Sequence, residues 1–113
     1  SKVPTLIFDE VDVGIGGAIA EVVGTSLRQL GSRAQIICVT HLPQVAAQGH
    51  HHLRVTKVSH KSGARTGISE LRDRDKVEEI ARMLGGVQMT PQSLAHAEEM
   101  FEQAQQPNHR PAS

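Results

Sequence analysis

Tryptophan and tyrosine are missing from this 113-residue chain, and two phenylalanines bring its aromatic content to only 2%. Aromatic rings on which bases could stack are therefore scarce, whereas contact with phosphates needs only cations within reach. An excess of one charge is also lacking: 12 Lys and Arg balance 12 Asp and Glu. No global field advertises a polyanion or a lipid surface, so any such partner has to be met by a local patch. Cysteine is reduced to Cys38, alone in an apolar run, which reads as a small buried hydrophobe and fits a reducing cytoplasm. No apolar stretch approaches the ~20 residues that cross a bilayer, and the N-terminus shows no signal-peptide pattern. With 38% hydrophobic residues the chain has material for one modest core, a single domain or a piece of one. Because it enters an apolar run by Thr5 with almost no lead-in, a piece is expected.

What is present begins with "TLIFDEVDVG", Thr5 to Gly14. Thr5 to Phe8 form a short apolar run behind Pro4, as expected of a strand covered on both faces in a parallel sheet. Glycines 14, 16 and 17 break the chain, and Ile19, Val22, Val23, Leu27 and Leu30 then recur at helical spacing from Ala18 to Leu30. Gly31 stands where a glycine C-cap is expected. A second apolar run, Gln35 to Thr40, completes a strand-helix-strand unit. Such a unit pairs its strands in parallel, and the C-terminal ends of both open on one edge, where open α/β sheets bind ligands. Asp9, Glu10 and His41 are expected to share that edge.

The rest of the chain predicts a short helix around Leu42 to Ala47 and two more strands, near Leu53–Val55 and Ile68–Arg72. The segment Lys61 to Arg65 reads as the hairpin loop between them. Asp75 with Glu78 resembles a capping box opening a helix that runs to Gly85-Gly86. Thr90-Pro91 supplies an N-cap and a first-turn proline for a last helix carrying Leu94, Ala97, Met100 and Phe101. Residues 107–113 are expected to be a flexible tail.

Three carboxylates after an apolar strand are costly unless a cation compensates them or chemistry uses them. An isolated Asp at such a place is most simply a cap or a solvated side chain. A strand delivering Asp9-Glu10 onto a glycine-containing turn has, however, the pattern of a Walker B segment in P-loop nucleotide hydrolases. In that pattern Asp9 holds Mg²⁺, usually through water, beside the phosphates of ATP. Glu10, one residue further into the site, orients or deprotonates the attacking water. His41, at the end of the neighbouring strand, is placed to reach the terminal phosphate.

"LIFDEVDVGIGG" followed by "IICVTHLPQVAAQGHHHLRVTK" and "EIARMLGG" resembles the C-terminal part of the ATPase head of the RecN family, SMC-like bacterial proteins of double-strand break repair and recombination within the ABC-type ATPase superfamily. The resemblance covers residues 1–106 as a segment of such a head. It implies Asp9 as the Mg²⁺-associated carboxylate, Glu10 as the catalytic base and His41 as the switch histidine. It places Asp12, Gly14, Gly16 and Gly17 in the D-loop, which contacts the opposite subunit of an ATP-sandwiched head dimer. Here the sequence departs from the general ABC pattern, since Gly16 stands where the D-loop aspartate usually does. No GxxxxGK[ST] phosphate loop and no LSGG-type signature occur in the chain. In the family both lie upstream, so the implied partners are the N-terminal part of the same head, a second head, and DNA through the whole protein, in the bacterial cytoplasm at the nucleoid and not at a membrane. The fragment alone is expected to be inactive. An ABC-type head of another chromosome or repair complex, and a non-enzymatic α/β interaction module, are the alternatives.

Two further clusters carry weaker signals. His50-His51-His52 cannot converge on one ion along a strand, because neighbours point to opposite faces, and reads as surface histidine. Arg54, Lys57, His60, Lys61 and Arg65 gather on the expected hairpin, either as a solvated face or as a patch for DNA phosphates.

Overall fold

A computed structural model describes residues 4–9, 14–85 and 89–106. Strand β1 (Thr5–Asp9) pairs in parallel with β2 (Gln35–Val39), in register from Thr5 opposite Gln35 to Asp9 opposite Val39. Helix α1 (Gly17–Gly31) makes the crossover. A four-residue helix α2 (Pro43–Ala46) follows, then an antiparallel ribbon of β3 (His52–His60) and β4 (Gly63–Leu71). Helices α3 (Arg74–Gly85) and α4 (Pro91–Gln105) close the described chain. This is the α/β architecture that the sequence predicts, with the parallel pair, the hairpin and the two C-terminal helices in the expected order.

The core lies among the helices. Ile80, Ala81 and Ala97 are fully buried and meet Ala47 just beyond α2, with Val77, Leu84, Leu94, Met100 and Phe101 packed around them. Thr90 starts α4 with a reciprocal cap: Ser93 N donates to Thr90 Oγ1 at 3.0 Å, and Thr90 N to Ser93 Oγ at 2.9 Å.

Several local expectations need correction. The β1–β2 pair is not covered on both faces, for Ile7 is 69% exposed, Ile37 44% and Val39 51%. One face, carrying Phe8, Ile36 and Cys38, is partly shielded, and Cys38 is half-buried instead of buried. Gly31 is the last helical residue of α1; the C-cap is Ser32, in right-handed conformation, whose N–H and hydroxyl both donate to Gln29 O. No left-handed residue is needed there, so the glycine signal was spent on nothing conformational. The hairpin turn is only Lys61-Ser62, with Gly63 at φ +131 already in β4, so each strand is nine residues long. Asp75 does not open α3 with Glu78: it sits inside the first turn, and Glu78 is engaged by Arg74 at 3.2 Å. Gly86 and the tail 107–113 lie outside the described residues.

The ribbon is tied to α3 by Glu79, a buried carboxylate held by both Nε and Nη2 of Arg82 and approached by Arg54 Nε at 3.7 Å. His52 sits half-buried at the same junction, its Nδ1 shut away from solvent without a partner among the described residues. Burial lowers the His52 pKa, Lys76 adding to the effect and Glu79 opposing it; His50 is lowered too, by burial and then by Arg28, His51 and Lys76. A histidine kept neutral in the fold contributes stability that is complete above the unfolded value of about 6.5 and is lost as pH falls below it. The urea midpoint of the full-length protein is therefore expected to fall between about pH 7.5 and about pH 5.5, and to fall less in His52→Gln. An equally steep dependence in the variant would assign the effect elsewhere.

Candidate nucleotide-binding edge

Asp9 ends β1 and is exposed, opposite Val39 at the end of β2. His41 follows two residues later and is also exposed. Its turn is set locally: Thr40 Oγ1 accepts a hydrogen bond from Leu42 N at 3.0 Å, and Pro43 then begins α2. Four residues cannot sustain a helix by themselves, so α2 depends on packing. Pro43 and Val45 are buried, and Ala47 joins the helical core. Across α2 lies Gly24 of α1, where a Cβ would stand 2.9 Å from the Gln44 carbonyl oxygen and 3.2 Å from Val45 Cα. The absence of a side chain at Gly24 lets the two helices meet backbone to backbone. Arg28 Nη1 adds a 2.7 Å bond to Gln48 O. The turn carrying His41 is thus braced by α1 through the segment "LPQVAAQG".

The same edge receives the start of α1. Gly14 has φ +82, a left-handed conformation that favours glycine. Gly16 is the N-cap in extended conformation, and Gly17 is the first helical residue. A methyl group on Gly17 would lie 3.4 Å from Gln44 Nε2, so the beginning of α1 faces the residue three positions after His41. The fold therefore brings Asp9, His41 and the Gly14–Gly17 segment to one end of the parallel pair. Glu10 and Asp12 lie outside the described residues.

An exposed carboxylate is the kind of ligand Mg²⁺ takes, one or two together with water and phosphate oxygens, whereas an imidazole is no part of such an oxygen shell. The described residues contain no group of three or more His, Cys, Asp or Glu side chains arranged to hold a metal. His50 and His51 are exposed, as expected, with His51 Nδ1 3.3 Å from Glu70 Oε2; His52 is the exception described above. A polar cleft of about 250 Å³ between α1, α2 and α4, lined by Gly17, Glu21, Gln44, Gln48 and His96 among others, was not foreseen from the sequence. Its walls come from three separate elements, and no spacing along the chain marks them.

No protein-family model matches the chain. Curated relatives do: it is 51% identical over 104 residues to the DNA repair protein RecN of Xylella fastidiosa, covering 92% of this chain and 19% of that protein. Over nine-tenths of its length the chain is homologous to RecN. RecN of Haemophilus influenzae is 51% identical over 102 residues, with 90% and 18% covered, and RecN of Bacillus subtilis 38% identical over 104, with 92% and 18% covered. The chain thus spans about a fifth of the length of the RecN proteins it matches. Among solved structures, one from work on ATP-driven dimerization and DNA-stimulated activation of SMC ATPases superposes with a TM-score of 0.59 at 19% identity. The match covers 78% of this chain and 52% of that one, and establishes a shared fold. Among the described residues no helix is long and apolar enough to cross a membrane.

Proposed function

We propose that this chain is the Walker B and switch-histidine segment, residues 1–106, of a RecN-type ATPase head that hydrolyses ATP in DNA double-strand break repair and recombination. The observation that carries the reading is that β1 ends at Asp9 opposite Val39, two residues before His41, at one end of a parallel strand pair in a chain homologous to RecN. Asp9, at the strand end, would help to hold a Mg²⁺, which when bound would neutralise phosphate charge. Glu10 takes the proton of the attacking water. His41, held by the Thr40 turn and α2, donates a hydrogen bond towards the γ-phosphate. The phosphate loop and signature motif, absent from this sequence, come from the N-terminal part of the same head and from a second head. Asp12, Gly14, Gly16 and Gly17 face that second head. The protein works in the bacterial cytoplasm at the nucleoid, and the segment alone is inactive.

Steady-state hydrolysis of ATP by the full-length protein tests this, titrated with Mg²⁺ beside an Asp9→Asn variant. Losing one carboxylate charge from a magnesium shell is expected to raise the Mg²⁺ needed for half-maximal rate about tenfold, roughly the worth of one charge-assisted contact. An unchanged Mg²⁺ requirement would remove Asp9 from the site.

A further inference from the structure

The β3–β4 ribbon makes its contacts chiefly between its own two strands. Nine residues per strand give it a length of about 30 Å. Only its base is anchored, where His52 and Leu71 are half-buried and Arg54 meets Glu79. Val55 opposite Ile68 forms a cross-strand pair that stiffens the middle. Beyond Thr56 every residue from Lys57 to Thr66 is exposed.

That distal stretch has a distinctive composition. It holds Lys57, Lys61, Arg65 and His60 and contains no Asp or Glu. None of these four side chains has an acidic partner among the described residues. The nearest ribbon carboxylate, Glu70, is at the base and already engaged by His51 and Arg72. The arrangement of the cations matters more than their number. Lys57, opposite Thr66, projects from one face; Arg65, opposite Val58, projects from the other; Lys61 sits in the turn. Cations on a single face would suit a flat acidic surface. Cations on both faces and at the tip suit a cleft with anions on two walls.

Duplex DNA has such a cleft. Its major groove, about 12 Å wide, admits a two-stranded β-ribbon and is bordered by a phosphate backbone on each side. The remaining tip residues, Val58, Ser59, Ser62, Gly63, Ala64 and Thr66, are small enough to enter it. A protein partner fits less well, because interface cores favour aromatic residues and Met and are depleted in Lys, Ser and Ala. We propose that the ribbon tip is a duplex-DNA contact, inserted end-on, with the turn at His60 and Lys61 leading and Lys57 and Arg65 reaching phosphates on opposite walls of a groove. With no aromatic ring to stack and no Asn or Gln at the tip to pair with adenine, the contact is independent of sequence. This inference rests on the DNA-repair reading above for its partner but on none of the ATP-site assignments.

The test uses the full-length protein without nucleotide, titrated with a mixed-sequence duplex over a range of salt, beside the Lys57→Gln/Lys61→Gln/Arg65→Gln triple variant. Loss of the two phosphate contacts of Lys57 and Arg65 is expected to lower the slope of log affinity against log salt by about 1.8 and to weaken binding at least about tenfold. The Lys57→Arg/Lys61→Arg variant should preserve both. Hydrolysis of ATP without DNA should be unchanged in the triple variant, since the tip is remote in sequence and fold from Asp9 and His41. Unaltered affinity and slope would overturn the proposal, whatever the ATPase does. An equal loss of affinity for single strands would overturn insertion into a groove, and binding lost only to an acidic protein would replace DNA as the partner. Absence of ATP hydrolysis in the parent with a normal slope change would instead sink the ATPase reading and leave the ribbon contact standing.

Discussion

Glu10→Gln in the full-length protein is expected to slow steady-state ATP hydrolysis about 100-fold while ATP still binds, a barrier increase of about 2.7 kcal/mol. The substitution keeps the size and hydrogen-bonding reach of the side chain and removes only its charge and basicity. If Glu10 accepts a proton from the attacking water, the loss falls on the chemical step, because that interaction strengthens only as the water becomes a nucleophile. Ground-state affinity should hold or tighten, since a negative charge beside the phosphates has gone. Single-turnover hydrolysis with a parallel measurement of bound ATP separates the two effects. Matching rates in parent and variant would mean that "DEVDVG" is a structural turn and that the acidic cluster has no part in chemistry.

Ile80→Ala should cost about 3 kcal/mol of stability, against about 1 kcal/mol for Ile80→Val. Ile80 is the one large side chain fully buried among the described residues, and the buried members of its cluster, Ala47, Ala81 and Ala97, are too small to move into the space it would leave. Only the partly buried side chains packed around them, such as Leu94 and Met100, have rotamers with which to shrink the cavity, which puts this site in the middle of the usual range. Urea unfolding of the full-length protein measures the difference, read from the transition that includes α3 and α4. The remaining folded molecules should hydrolyse ATP normally if the core only supports the nucleotide edge. Equal midpoints for the alanine variant and the parent would show that Ile80 is not packed as described.

The parts of the fold that sequence made legible are those governed by neighbouring residues. Periodicity from Ile19 to Leu30 marks α1, Thr90-Pro91 marks the start of α4, and two apolar runs flanking one helix fix a parallel pair. Because parallel strands end on the same edge, the meeting of Asp9 with His41 follows from the topology alone. Features decided by tertiary contact were not legible. Asp75 and Glu78 have the spacing of a capping box, but Arg74 engages Glu78 from inside the helix. Thr66 and Gly67 look like loop material, yet pairing with Lys57 and Thr56 draws them into a nine-residue strand. The basic residues of the hairpin read as one cluster along the chain, whereas the pleat sends Lys57 and Arg65 to opposite faces, and Glu79 draws Arg54 to the base. Nothing along the chain marks Gly24; its reason is the backbone of Gln44 on the far side of the contact.

The uncovered face of β1 and β2 bears on how such a segment has to be handled. Ile7, Ile37 and Val39 lie side by side on it, and among the described residues the two strands pair only with each other. "TLIF" and "QIICV" are β-prone, uncharged and free of proline, the composition of sequences that stack into intermolecular sheets when left open. Produced without something to lie against that face, the segment carries a solubility liability in its most informative strand: the residues that deliver Asp9 to the nucleotide edge are also those most prone to self-association.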